Sequence, residues 1–288
     1  MKTYHHYCIC ALGMLGLAAT QAEAQTLFGA TSSGHGELYT LNPATGGVSQ
    51  DIGPLNDASA VNYSVSGLAF DPITGVLYGS TGAVSGNSLL TINPTTGLVT
   101  VIGSFGGTAT MTDLAFDSSG NLYGISSSGG ANLYSINLAS GLATKVGSSG
   151  LSFTEGGGLA ISSGGICYGA PIPGEFGTYD LTTGAYTHIA SPATPVGAGT
   201  SYAGLAFDGS TLYGDNLAAG SGGGVTHLVM IDPTTGNVTD IGPSVTHLDA
   251  IAFSLEPIPE PGTIGLFSVG GLVTLLVARR KTAVVTPR

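Results

Sequence analysis

The side chains in this sequence that could do chemistry are a scatter of carboxylates and imidazoles, not a contiguous motif. Asp113, Glu155, His247 and Asp249, with Tyr63 and Tyr202, precede or open apolar runs of one recurring pattern. Asp215, with His35, Glu37, Glu175 and His227, follows a second recurring pattern. Such groups drawn from several places could converge on a cation or a sugar. Calcium would need six to eight oxygen ligands, and a pair of acids could hydrolyse a glycoside or a lactone. Asp113 and Asp249 read as occupants of one repeat position whose other members, Gly67, Gly158 and Gly204, have no side chain, so no complete ring forms. Asp113, Glu155, Asp215, His247 and Asp249 are therefore the candidate ligand rim. A polar, solvated rim is the plainer reading of the same residues.

No residue is assigned a catalytic role. Nucleophile elbow, phosphate-binding loop and zinc-ligand spacing are all missing from the sequence. Cys167 takes the place of a leucine in a repeated Leu-Tyr-Gly triplet and reads as a small buried hydrophobe, since a reactive thiol needs an exposed electropositive setting. No cofactor is called for, and calcium is the one ion the rim acids would suit.

The elements that must position these residues are repeats. Gly67 to Gly103 is one copy, with four short apolar runs separated by turn residues. A first strand ends at Phe70, Phe116, Ile161, Phe207 and Phe253, spaced by 46, 45, 46 and 46 residues. A second carries Leu77-Tyr78-Gly79 and its equivalents, including Leu27-Phe28-Gly29 near the start. Third strands run to Leu41, Ile92, Ile136, Tyr179 and Ile231, and fourth strands end near Ile52, Ile102, Val146, Ile189 and Ile241. Asn-Pro-Thr-Thr-Gly at 93–97, Asp-Pro-Thr-Thr-Gly at 232–236 and their relatives join the third strand to the fourth as hairpins. Asp71, Asp117 and Asp208 do the same at the preceding turn, between the first strand and the second. Each turn offers one carboxylate, too few for a calcium loop.

Four complete units begin near Leu68, Leu114, Leu159 and Leu205. A fifth is split, with its last three strands at the start of the repeats and its first strand at Leu248 to Ser254. Complementary ends predict an all-β, five-bladed β-propeller of four-stranded antiparallel blades, closed by pairing of the N- and C-terminal strands. An open β-solenoid is the alternative, and it would not need such ends.

Composition supports strands and excludes some partners. The 288 residues include 48 Gly, 14 Pro and no Trp. Between Gln25 and Glu256 a single base, Lys145, faces fifteen acids, a balance that repels nucleic acid and anionic lipid.

The two ends state where the chain goes. Lys2, the apolar run Cys8 to Ala19 and Ala22-Glu23-Ala24 form a secretory signal peptide over 1–24, cut by signal peptidase before Gln25. After Glu256 come Pro257-Ile258-Pro259-Glu260-Pro261-Gly262, an apolar run to Ala278, and Arg279-Arg280-Lys281. Gly262 to Ala278 spans about 25 Å as a helix, the short limit for a transmembrane segment. The basic triplet keeps its end in the cytoplasm, so the repeats face outward from the inner membrane.

This tail resembles the PEP-CTERM sorting signal. Pro259, Glu260 and Pro261 match its recognition motif, and Arg279, Arg280 and Lys281 match its basic stop; the extra residues Thr282 to Arg288 depart from it. The resemblance implies an exosortase-type membrane protease as partner, a Gram-negative host and an association with exopolysaccharide. The repeats are similar in pattern to extracellular propellers with NHL-like repeats, which implies a fold and no site.

Three domains follow: a signal peptide (1–24), the propeller (25–256) and the sorting signal (257–288). The expected protein is exported, membrane-anchored before processing, then surface-bound or extracellular. It is not an enzyme but a propeller scaffold binding polysaccharide or protein. A secreted calcium-dependent hydrolase or lactonase and a purely structural spacer are the alternatives.

Overall fold

Turn chemistry sets the strand ends. Asn93 Oδ1 accepts the Thr95 amide at 2.9 Å while its carbonyl accepts that of Gly97 at 2.9 Å, with Gly97 at φ 71° returning the chain. Asp71 accepts the Ile73 amide at 2.8 Å and the Thr74 hydroxyl at 2.7 Å. Asp117 accepts the Ser119 and Asn121 amides, both at 2.9 Å. These carboxylates are consumed by their own turns, as expected.

A computed structural model describes residues 25–255, apart from 33–34, 83–84, 108–109, 153–156, 193–200 and 217–224. Glu155, the signal peptide and everything from 256 onward, including the expected membrane helix and the sorting residues, lie outside the described residues. The described strands make five four-stranded antiparallel sheets.

In chain order the closing blade supplies β1 (Leu27–Thr31), β2 (Glu37–Leu41) and β3 (Val48–Pro54). The next blade is β4 (Val65–Phe70), β5 (Leu77–Thr81), β6 (Ser88–Ile92) and β7 (Val99–Ser104). Then come β8 (Met111–Phe116), β9 (Leu122–Ser126), β10 (Leu133–Ile136) and β11 (Ala143–Lys145). The following blade holds β12 (Leu159–Ile161), β13 (Cys167–Gly169), β14 (Phe176–Tyr179) and β15 (Tyr186–Ala190). Last are β16 (Tyr202–Asp208), β17 (Thr211–Asn216), β18 (Val225–Ile231), β19 (Val238–Thr246) and β20 (Leu248–Phe253).

Strand β20 pairs antiparallel with β1, Leu27 opposite Phe253 and Gly29 opposite Ile251, giving the order β20-β1-β2-β3. The split unit is therefore one blade. First strands pack on one another around the ring, β20 on β4, β4 on β8, β8 on β12, β12 on β16 and β16 on β20. They line the axis, and the fourth strands face outward with mostly exposed side chains, as in β3 and β11.

Each of the five apolar clusters lies between two blades. Phe28 and Leu38 meet Leu68 and Leu90; Leu89 meets Met111 and Leu114; Leu133 meets Leu159 and Cys167. Phe176 meets Leu205 and Val229, and Leu228 meets Ile251 and Phe253. The repeated aromatic residues are the pins of these interfaces. Phe28 packs on Phe70 at 5.4 Å, Tyr78 on Phe116 at 5.4 Å, Tyr168 on Phe207 at 5.7 Å and Tyr213 on Phe253 at 5.0 Å between ring centres. At the remaining interface Ile161 stands where the others have Phe.

Around the axis the first strands of three blades approach their neighbours so closely at Gly67, Gly158 and Gly204 that glycine is required. A Cβ on Gly67 would sit 2.6 Å from Asp113 Cα and 2.7 Å from Ser80 Oγ. Gly67→Ala is expected to cost about 2 kcal/mol through overpacking, read as a lowered urea midpoint. Gly82→Ala, whose Cβ would meet nothing within 4 Å, should leave the midpoint unchanged. Equal midpoints for the two variants would mean that the axis is looser than it is drawn.

Candidate functional site

Three of the five expected rim residues lie in strands, not loops: Asp113 in β8, Asp215 in β17 and Asp249 in β20. Asp113 is fully buried. Its Oδ1 accepts its own strand's Leu114 amide at 2.8 Å, and its Oδ2 accepts Leu159 at 2.7 Å and Leu205 at 3.0 Å. Leu159 is in the next blade and Leu205 two blades on, so one carboxylate ties three first strands across the axis. Those strands have no strand partner on their axial edge, and the carboxylate supplies acceptors for amides that would otherwise be buried bare. Burial pushes the Asp113 carboxyl well above the usual carboxylate range, against the pull of its three amide donors.

Asp113 is thus an axial brace and not a rim ligand. The glycines at its repeat position leave the room that this one carboxylate fills.

Asp215 is also fully buried. Its Oδ1 accepts the Ala203 and Gly204 amides at 3.0 and 2.9 Å. Those two residues are the irregular step in β16 between Tyr202 and Leu205, so the carboxylate holds a β-bulge in place. Oδ2 makes no hydrogen bond among the described residues, and a Cβ on Gly204 would lie 2.7 Å from it and 3.0 Å from Ala250 Cα. Burial, then the charge of Asp249, pushes the Asp215 carboxyl well up.

The shared repeat position of Asp113 and Asp249 needs correction. Asp113 pairs with Ile125, whereas the residue in the matching register of β20 is Ala250, opposite Ala30. Asp249 is one residue earlier, the extra residue of a bulge, in register with Ser66 and Thr112. Side chains alternate across a strand, so a slip of one residue sends a side chain to the other face. The hydroxyls of this bulge row bridge blades: Ser66 Oγ donates to the Met111 carbonyl at 2.9 Å, and Thr112 Oγ1 to that of Gly157 at 3.1 Å. Sequence reading missed this row because Ser and Thr carry no chemical signature, although counting four residues back from each terminal Phe would have found it.

Asp249 is half-buried, and burial pushes its carboxyl up to about 6 against the pull of the Ser32 hydroxyl. An acid with a raised folded-state pKa binds its proton more tightly in the native state. Its stabilising contribution is complete below about pH 4, the unfolded value, and is lost as pH rises through about 6. Asp113 and Asp215 are shifted in the same direction. The urea midpoint should therefore fall between pH 4 and 7, with Asp249→Asn flattening the decline near pH 6; a profile unchanged by that substitution would remove Asp249 as its source.

His247 stands between β19 and β20 with φ 60°, and its carbonyl accepts the Ser32 amide at 3.3 Å. It serves as a turn residue in the left-handed region. Glu175 and His227, from the second set of candidates, pair within their own hairpins: Glu175 with His188 at 2.7 Å, and His227 with Asp240 at 2.9 Å. Cys167 is buried between blades, and desolvation raises its thiol pKa far above the ordinary value. No group of three or more His, Cys, Asp or Glu among the described residues is placed to hold a metal ion.

The arrangement defines a class, a five-bladed β-propeller whose central acids brace the ring. The chain belongs to the family described as a repeat of unknown function, DUF6923, which matches residues 49–211, more than half of the chain. Residues 257–281 match the PEP-CTERM protein-sorting motif. The chain is thus a PEP-CTERM protein with a propeller repeat domain, marked for the cell surface through exosortase-type processing.

No curated protein matches the sequence. Among solved structures, a chain of a nidogen/laminin complex aligns with 14% identity and a TM-score of 0.51, covering 81% of this chain and 99% of that one. A protein of unknown function from Bacteroides thetaiotaomicron aligns with 16% identity and a TM-score of 0.50, covering 67% of this chain and 54% of that one. At these identities the likeness is one of fold.

Proposed function

We propose that this protein is exported by a signal peptide over 1–24, anchored in the inner membrane by its 257–288 tail until an exosortase-type protease acts, and then displayed as a non-catalytic scaffold. The 25–256 propeller would bind exopolysaccharide or another surface protein. The PEP-CTERM match at 257–281 carries this reading. The internal use of Asp113 and Asp215 supports its non-catalytic side, because the two best-placed acids already serve the ring and its bulge. The same fold in a nidogen/laminin complex gives a precedent for a propeller in a protein assembly. Specificity is then expected from the loops that differ between blades, with Tyr faces available to stack on sugars.

Mass spectrometry of the native surface fraction tests the sorting. The expected species starts at Gln25 and lacks the 263–281 segment; retention of that segment in cells with a working exosortase would overturn it. Calorimetry of the purified propeller with the host's exopolysaccharide and surface proteins tests the scaffold role. Binding without turnover is expected, and release of cleaved sugar or ring-opened lactone would replace scaffold by hydrolase.

A further inference from the structure

At the end of the axis away from the Asp249 bulge, the first strands open into a cup of about 280 Å³. One alanine from each blade lines it, Ala69, Ala115, Ala160, Ala206 and Ala252, together with Leu255. The terminal residues of the same strands, Phe70, Phe116, Ile161, Phe207 and Phe253, line it as well. The cup's wall is largely apolar, with Asp117, Ser118, Ser162 and Ser163 adding polar groups to its lining, and the described portion of the chain comes to its last residue at the cup's edge. Ser254 is fixed there, its amide donating to the Thr26 carbonyl at 2.9 Å and its hydroxyl accepting the Thr26 amide at 2.9 Å. Leu255 already turns into the cup, and 33 further residues begin at that point.

We infer that the cup seats the apolar start of the sorting linker, Pro257 and Ile258. Two arguments support this occupant. First, reach: Ile258 is three residues beyond Leu255, so an extended chain places it within about 10 Å. The residue before a proline disfavours the helical region, so the prolines at 257 and 259 make an extended linker the sequence expectation. Second, complementarity: an apolar hollow lined by small side chains leaves room for larger ones, and Pro257 and Ile258 are the nearest apolar residues not yet placed. Seating them would set the Pro259-Glu260-Pro261 motif at the propeller surface, one residue past the cup. This inference concerns the linker's contact with the propeller and does not depend on how the motif is processed.

The test uses the full chain in detergent. Ile258→Cys combined with Ala206→Cys should form a disulfide under mild oxidation, while Ile258→Cys with Val101→Cys, on the exposed outer strand β7, should not. Absence of the first bond, or equal yields in the two pairs, overturns the proposal.

If the Ala206 substitution prevents folding, the lack of any tryptophan supplies a second readout. The indole of Ile258→Trp should emit to the blue of the exposed Val101→Trp indole and resist acrylamide. It should also be untouched by brominated detergent. Solvent-like emission, or quenching by the brominated detergent, places residue 258 outside the cup and overturns the proposal.

Discussion

Asp113→Ala is expected to destabilise the propeller by about 4 kcal/mol. The variant removes the acceptor for three buried amides, Leu114, Leu159 and Leu205, that come from three blades. Each amide left bare costs about 1–3 kcal/mol, and the alanine methyl cannot admit enough water to replace the carboxylate. Some of the loss is recovered because a costly buried carboxyl disappears as well, which places the net effect near that of breaking a buried polar network. Asp113→Asn should fall between, since its carbonyl can still accept on one side while its NH₂ opposes the donors on the other. Urea unfolding followed by far-ultraviolet circular dichroism reads both. A loss below about 1 kcal/mol for the alanine variant would show that the three amides find other partners, and the axial brace would have to be abandoned.

A chain ending at Thr246, without β20, is expected to have no cooperative unfolding transition. Leu248, Ile251 and Phe253 are buried in the cluster that joins β20 to β18 and β1, and each such side chain contributes about 2 kcal/mol. Strand β1 would also lose its ladder with β20, leaving an open edge at the ring's centre. Because β20 also packs on β4 and β16, its removal opens two blade interfaces at once. The total rivals the 5–15 kcal/mol by which domains are usually stable. A chain ending at Leu255 should keep the transition. An open solenoid would behave differently, losing one terminal strand and keeping most of its stability. Calorimetry of the two truncations distinguishes these outcomes.

The consequence for function is a division between frame and surface. Two acids that a sequence reading assigns to a binding rim belong to the frame, Asp113 closing the axis and Asp215 shaping a bulge, while the turn aspartates cap their hairpins as expected. His247 sets a turn geometry. Among the described rim candidates, His247 and Asp249 keep partial exposure, and Asp249 stands one residue away from the register of Asp113.

The sequence alone determined the strands, their turns, the number of blades and the closure, because each follows from local rules. Alternating apolar runs ended by Asx-Pro-Thr-Thr-Gly can only be short hairpin strands, and a unit split between the two ends can be completed only by bringing those ends together. The Pro-Glu-Pro tail was equally legible, being linear. What the tertiary structure decided is which side chains meet on the axis. Asp113, Leu159 and Leu205 are 46 residues apart at each step, and their contact depends on how tightly five first strands converge. The bulges at Ser66, Thr112 and Asp249 add one residue to a strand without altering its apolar pattern, yet they reverse which face a carboxylate occupies. Counting back from each terminal Phe separates Asp249 from Asp113 by one position, but it does not say which backbone amides a buried carboxylate meets, so Asp113 and Asp215 read as a rim in one dimension and stand in three as a brace and the clasp of a bulge.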